Sequence, residues 1–205
     1  MSPEESIAWR PSLPGWSDDI LPFYKRMARE LGPGRPQCVE VGVAWGRSIL
    51  FLAAELLALG KSQADLWAID SWDPCWDYAP EATPRAAWRF PRPHMLRTLL
   101  EHALPLELDM VHLVRAPSGR AARMFQGSSL DLVFIDGDQS FAGVAEDLAH
   151  WGPKMARGAV LAGHDHNFPD VADAVDSFAA SDSVHLFFEP LTVEGTVWIL
   201  KRKSS

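Results

Sequence analysis

Two apolar runs, Leu130–Ile135 and residues 159–162, each end directly in a polar cluster. The first is followed by Asp136-Gly137-Asp138, the second by Gly163-His164-Asp165-His166-Asn167. Short apolar runs bounded in this way read as strands buried on both faces, and such strands belong to parallel sheets covered by helices. Open parallel sheets bind their ligands at the carboxyl ends of the strands. Carboxylates and imidazoles gathered there point to a site that binds a metal, moves a proton, or does both.

The rest of the chain keeps the strand–helix alternation that a parallel sheet requires. Gln37–Val41 and residues 65–69, 111–114, 130–135 and 159–162 read as successive strands. Between them, Ile49, Leu52, Ala53, Leu56 and Leu57 form one helical face stopped by Gly60, and residues 119–125 a short helix. Phe141, Val144, Ala145 and Leu148 form another face, with Asp147 beside them read as a solvated or paired helix residue. Val171, Ala174, Val175 and Phe178 mark a further helix. Ahead of the first strand, Ile20, Phe23, Tyr24, Met27, Ala28 and Leu31 follow helical spacing, ended by Gly32-Pro33-Gly34. Residues 184–188 and 196–200, joined through Pro190 and Gly195, read as a closing antiparallel hairpin. The expectation is a single domain over residues 1–205, with residues 1–36 as an N-terminal lead-in and helix.

Residues 71–94 break this rhythm: Trp72, Trp76, Tyr78, Trp88 and Phe90 stand among Pro74, Pro80, Pro84, Pro91 and Pro93. Aromatics at this density favour a folded cover over a disordered linker. Because the insertion leaves the end of the second strand, it reads as a lid over the site, or else as a packing or oligomer contact.

The formal net charge of −8 argues against a nucleic-acid backbone as partner, and Lys201-Arg202-Lys203 is too short to reverse that. No apolar run approaches the ~20 residues of a membrane span. The start, Met1-Ser2-Pro3-Glu4-Glu5, has none of the features of a secretory signal, and the only thiols are Cys38 and Cys75. A cytoplasmic protein acting on a small-molecule substrate is expected, without nucleic acid or membrane, and a homodimer is compatible with the chain.

After the first strand comes Glu40-Val41-Gly42-Val43-Ala44-Trp45-Gly46-Arg47-Ser48. Gly42 and Gly46 permit a tight strand-to-helix turn and let a ligand approach bare backbone. The second strand ends in Asp70, where a carboxylate can accept both hydroxyls of a ribose. Together they indicate a nucleoside-containing cofactor. The dinucleotide fingerprint is absent, because Ala44 and Arg47 occupy its second and third glycine positions. That weighs against a NAD-type oxidoreductase, and the paired clusters at residues 136–138 and 164–165 weigh against a catalytically silent scaffold.

The Glu-x-Gly-x-x-x-Gly turn resembles motif I of class I S-adenosylmethionine-dependent methyltransferases. Phe134-Ile135-Asp136-Gly137-Asp138, Trp151-Gly152-Pro153-Lys154 and Gly158 through Asp165 resemble more narrowly the small-molecule methyltransferases grouped with macrocin and novobiocin O-methyltransferases, distant relatives of catechol O-methyltransferase. The resemblance covers roughly residues 37–200 and departs at Gln139, where the family pattern often has His. It implies an α/β fold: a Rossmann-like seven-stranded mostly parallel sheet with an antiparallel C-terminal strand and helices on both faces. It also implies methyl transfer from S-adenosylmethionine to a hydroxyl of a small-molecule acceptor.

By that resemblance Glu40, Gly42, Gly46 and Ser48 line the methionine end of the cofactor, and Asp70, with Ser71 beside it, holds the ribose. Ala116 and Ser118 border the adenine; Trp72 lies against it or packs in the core; and Asp136 touches the cofactor as well. Asp136, His164 and Asp165 fall on the ligand positions of relatives that use Mg²⁺ or another divalent cation, although His164 stands where those relatives carry a carboxylate. His166 or Asn167 substitutes if the register slips. Asp138 falls on the general base, with His164 or His166 as the base of a metal-independent enzyme. Asp138 is equally readable as the N-cap of the following helix. In an extended chain His164 and Asp165 face opposite sides, so they share one ion only if the chain turns between them.

Overall fold

The computed structural model of the chain describes residues 15, 18–72, 92–103 and 109–204. The strands are β1 (Gln37–Val41), β2 (Asp65–Asp70), β3 (Val111–Arg115), β4 (Leu130–Ile135), β5 (Met155–Gly163), β6 (Thr192–Glu194) and β7 (Val197–Lys201). They form one seven-stranded sheet in the order β3-β2-β1-β4-β5-β7-β6. Pairing is parallel from β3 through β5, whereas β7 runs antiparallel to both β5 and β6. One reversed strand near the end of an otherwise parallel sheet is the expected class of fold.

The helices are α1 (Leu21–Glu30), α2 (Arg47–Ala58), α3 (Arg92–Ala103), α4 (Ser118–Ala121), α5 (Phe141–Trp151), α6 (Pro169–Ala179) and α7 (Asp182–Phe187). Side chains alternate along each central strand, so each face of the sheet has its own core. Cys38, Leu66, Ala68, Leu132 and Phe134 pack with the apolar faces of α1 and α2 and with Leu99 of α3. Val39, Val41, Ile69, Val133 and Ile135 pack on the opposite side with α5 and α6, including Val144, Leu148 and Trp151. Burial on both faces is why these strands read as unbroken apolar runs. It is also why Cys38, a free thiol 1% exposed, behaves as a small hydrophobe. No helix among the described residues is long and apolar enough to cross a membrane.

The structure departs from the sequence reading in three places. Residues 184–188 are not a strand; most of them lie in α7, whose first turn carries Asp182 and closes on the Ser181 carbonyl. Only Phe188 pairs in β fashion, through a bridge to Arg202. The closing hairpin is instead β6 with β7, turning at Gly195 with φ +63°. Second, β5 begins at Met155, and its pairing with β4 shifts register between Leu130 and Leu132, which hid its first half. Third, the insertion does not run to residue 94: α3 begins at Arg92, with Pro93 in its first turn, where the fixed φ of proline suits a helix start. Residues 73–91, which hold most of the expected lid, and Cys75 with them, lie outside the described residues.

At the end of the sheet opposite the polar clusters, Asp65 ties three elements together. Its carboxylate accepts hydrogen bonds from Arg35 Nη2 at 3.0 Å, from His112 Nε2 at 2.8 Å and from Gln37 Nε2, and pairs with Arg35 Nε at 2.6 Å. Burial alone would raise this carboxyl, but the bonds from Arg35, His112 and Gln37 outweigh it and hold the pKa at about 2, against an ordinary 3.8. A depressed folded pKa contributes stability that is present above the unfolded value and lost as pH falls through the folded one. Asp65→Asn is therefore expected to cost about 2 kcal/mol at pH 7, with the gap to wild type closing as pH falls toward 2. Urea unfolding across that range measures it, and a gap independent of pH would contradict the assignment.

Candidate active site at the strand ends

The site is assembled by register. Val41 of β1 pairs with Ile69 of β2 and with Ile135 of β4, and Ile135 pairs with Gly163 of β5. The residue after each partner is therefore carried to the same edge of the sheet: Asp70, Gly42, Asp136 and His164. The ladder continues through this row, with Gly42 N donating to Ile69 O at 2.9 Å, Asp136 N to Val41 O at 2.8 Å and His164 N to Ile135 O at 3.1 Å. Strand spacing of ~4.8 Å then sets four chemically distinct groups side by side.

Gly42 stands at φ +86°, and a Cβ there would lie 2.1 Å from the Asp136 carbonyl oxygen and 2.6 Å from Gly137 Cα. Two backbones cross at that point, and no side chain fits between them. Gly46, at φ +81°, opens α2 against Leu99 of α3. Asp70 fastens the turn to the next loop: one carboxylate oxygen accepts from Ala44 N at 3.0 Å, the other from Trp72 N at 2.7 Å. The Trp72 indole, 1% exposed, donates to the Ala44 carbonyl at 3.0 Å and belongs to the α1–α3 core. Of its two readings, packing is the one this geometry displays. Ser71 offers its carbonyl to Arg115 Nε at 3.2 Å.

Glu40 and Ser48 brace the turn from behind. The Glu40 carboxyl is 2% exposed and accepts from Ser48 Oγ at 2.5 Å and from the Tyr24 hydroxyl of α1 at 2.6 Å. Burial pushes its pKa up to about 8 despite those two bonds. On the far side of the row, Ala116 N donates to the Asp70 carbonyl at 3.1 Å, and Ser118 Oγ accepts from the Trp151 indole at 2.8 Å. Ser118 also bonds Asp147, whose carboxyl is buried and raised to about 6 by that burial; of its two readings, solvated or paired, the structure displays the second. The helical spacing of Asp147 suited a surface position; α4 covers it instead.

The second half of the row holds the charge. Asp136, His164 and Asp165 each offer a ligand atom within 4.8 Å of the others. Asp165 takes φ +59°, the left-handed turn that an extended chain would lack, and this swings its carboxylate back toward His164. His164 Nδ1 lies 3.3 Å from Asp165 Oδ1 and 3.5 Å from Asp136 Oδ1. Burial would lower the imidazole pKa, but the bond and charge of Asp136, then those of Asp19 and Asp165, hold it up at about 9. Burial also raises Asp136, to about 6, against the pull of His164. A carboxylate–imidazole–carboxylate set of this kind fits a divalent first-row cation. A small pocket opens beside it, lined by Asp136, Gly137, Asp138, Gln139, Val144 and His164.

His166 does not join the set. Its ring turns to Asp176 of α6, 3.3 Å away, and Asn167 is exposed. Asp138 sits at the pocket mouth with Oδ1 accepting from Ser140 N at 2.9 Å. It is not the helix cap: Ser140 is, through Gly143 N to Ser140 Oγ at 3.1 Å. Sequence reasoning also missed Asp19, which binds His164 Nε2 at 2.8 Å across 145 residues, and Gln139, which donates to Asp165. A lone acid in the lead-in carries no local signal; only the fold reveals it.

A parallel sheet with one reversed strand, a glycine turn after β1, an acid closing β2 and an acidic cluster after β4 define a class I methyltransferase. The chain belongs to the methyltransferase-domain family, whose model matches residues 39–166. Among solved structures it is similar to the O-methyltransferase NovP, at 17% identity and TM-score 0.70 over 90% of this chain and 80% of that one. It is similar also to CalS11, a calicheamicin methyltransferase, at 14% identity and TM-score 0.63 over 90% of this chain and 78% of that one. A methyltransferase from Geobacter sulfurreducens aligns at 18% identity and TM-score 0.62 over 98% of this chain and 86% of that one. No curated protein sequence matches the chain.

Gly42 is where the row is most constrained. Gly42→Ala is expected to destabilise the protein by about 3 kcal/mol or more, from a left-handed non-glycine residue plus a backbone collision. Gly60, also at positive φ but with open space around it, supplies the control: Gly60→Ala should cost about 1 kcal/mol. Equal costs in denaturant unfolding would contradict the crossing of backbones at Gly42.

Proposed function

We propose that this protein transfers a methyl group from S-adenosylmethionine to a hydroxyl oxygen of a small-molecule acceptor, with a divalent cation held by Asp136, His164 and Asp165. The observation that carries this reading is the convergence of those three side chains beside the glycine turn and Asp70, on one edge of a methyltransferase sheet. When bound, S-adenosylmethionine supplies a methyl carbon made electrophilic by its sulfonium, and a divalent cation supplies positive charge that favours ionisation of a nearby hydroxyl.

The chain's own residues do the rest. Asp70, oriented by the N–H groups of Ala44 and Trp72, is a carboxylate aimed at the cofactor side of the row and suited to ribose hydroxyls. Gly42 and Gly46 let the cofactor approach backbone, while Glu40 and Ser48 hold the turn rigid from behind. Ala116 and Ser118 border the adenine side, with Ser118 positioned by Trp151. Reactive atoms held ~3 Å apart in line avoid much of the entropic cost of a bimolecular step.

Asp138 takes the acceptor's proton. It is exposed at the pocket mouth, and its Oδ2 makes no hydrogen bond among the described residues. His164, cationic between its carboxylates in the metal-free protein, is a poor proton acceptor; on binding a divalent cation its Nδ1 would give up its proton and become a ligand. The presence of imidazole admits Mn²⁺ or Fe²⁺ beside Mg²⁺.

Two measurements test the reading. Calorimetry is expected to show S-adenosylhomocysteine binding that falls about 10-fold in Asp70→Asn, on the scale of one lost hydrogen bond to a charged group. A labelled-methyl screen over hydroxylated acceptors is expected to find turnover that Asp138→Asn lowers ~10²- to 10⁴-fold, with S-adenosylhomocysteine binding unchanged. Binding of NAD(H) with no affinity for S-adenosylhomocysteine would overturn the proposal.

A further inference from the structure

The turn that precedes α1 carries two adjacent carboxylates that reach in different directions. Asp18 pairs with Arg47 at the head of α2, where Arg47 Nη1 also donates to the Gly15 carbonyl at 3.2 Å. Asp19 turns toward the charged half of the site. Its Oδ2 accepts from His164 Nε2 at 2.8 Å and from the Thr196 hydroxyl at 2.6 Å. Thr196 lies in the turn between β6 and β7, and its carbonyl accepts from His166 N at 3.0 Å. Three separate segments, the lead-in, the end of β5 and the closing hairpin, thus meet at one oxygen.

The consequence lies in the imidazole. A histidine whose one nitrogen donates to a carboxylate keeps its proton there and leaves the other nitrogen to ligate. With Nε2 committed to Asp19, it is Nδ1 that faces Asp136 and Asp165. We propose that Asp19 is a positioning residue of this site: its carboxylate fixes the His164 ring so that Nδ1, together with Asp136 and Asp165, is offered to a divalent cation. Thr196 holds the carboxylate in turn, and Asp18 with Arg47 anchors the segment on the cofactor side. The turn carrying Asp18 and Asp19 is therefore part of the site and links its two halves. The inference rests on the metal-assisted reading above, and concerns binding rather than turnover.

Asp19 is about half exposed, its side chain at 48%, so its removal opens no cavity in the core. Mn²⁺ binding to the full chain, followed by the loss of free-ion electron paramagnetic resonance signal, reads affinity. The ¹⁵N shifts of the His164 ring on addition of Zn²⁺ read which nitrogen ligates, with assignment by difference from His164→Gln. Asp19→Ala is expected to weaken Mn²⁺ binding 10-fold or more, whereas Asp19→Asn, whose side-chain carbonyl can accept the same two bonds, should stay within about 3-fold of wild type. In the wild type Zn²⁺ should sit on Nδ1 with Nε2 protonated. Ligation through Nε2, or Asp19→Ala binding Mn²⁺ as tightly as wild type, would overturn the inference. A wild type that binds neither ion overturns both the inference and the metal assistance. Ion binding through Nδ1 in a protein that transfers no methyl group supports the inference and counts against the methyl-transfer reading alone.

Discussion

Everything at the candidate site depends on the parallel register that aligns Ile69, Val41, Ile135 and Gly163 in one row. A one-residue slip of any strand would send its side chains to the other face of the sheet. The alignment is defended by burial on both faces and by two glycines where neighbouring chains touch. At Gly42 the β1 turn crosses the backbone after β4; at Gly163 a Cβ would lie 2.4 Å from the Ile135 oxygen and 2.4 Å from the Trp198 ring. The result is a fixed edge on which unlike groups stand in a set order: the Asp70 carboxylate, the bare glycine turn, the Asp136 carboxylate, the His164 imidazole.

The electrostatics of that edge divide in two. Around the glycine turn, carboxylates are taken up by structure: Glu40 by Ser48 and Tyr24, Asp70 by the backbone of its neighbours. At the ends of β4 and β5, Asp19, Asp136 and Asp165 surround one imidazole and hold it cationic. An imidazolium among three carboxylates neutralises part of a charge that would otherwise repel itself, a task a divalent cation bound at the deprotonated Nδ1 would take over. In the proposed methyl transfer this contrast becomes a rigid cradle for the donor beside a negatively charged pocket for the acceptor and its proton.

Much of this was legible in the sequence. Apolar runs located five strands, most plainly the central ones, where burial on both faces leaves no alternation to confuse, and the residues after those runs form the polar row at the strand ends. The misreadings have physical causes. Residues 184–188 are rich in branched and aromatic side chains, and a short apolar run does not distinguish strand from helix. β6 is fully exposed and only three residues long, so it has no apolar signature. Asp138 and Ser140 are both good caps two residues apart, and only hydrogen-bond geometry separates them. The left-handed turn at Asp165, which lets it join His164, is a tertiary choice with Gln139 as partner. Asp19 and Tyr24 reach the site only because α1 packs over the sheet, bringing Tyr24 to 5.1 Å from the Phe134 ring.

The central claim is that one row of strand ends builds both halves of a methyl-transfer site. A crystal structure with S-adenosylhomocysteine and Mn²⁺ tests it most directly. The account predicts the ribose against Asp70, the methionine end over Gly42, and an anomalous peak bridging Asp136 and Asp165 beside His164 Nδ1. A nucleoside bound away from the Asp70–Gly42 edge, or a manganese peak elsewhere with Asp136 and Asp165 left unbridged, would contradict it.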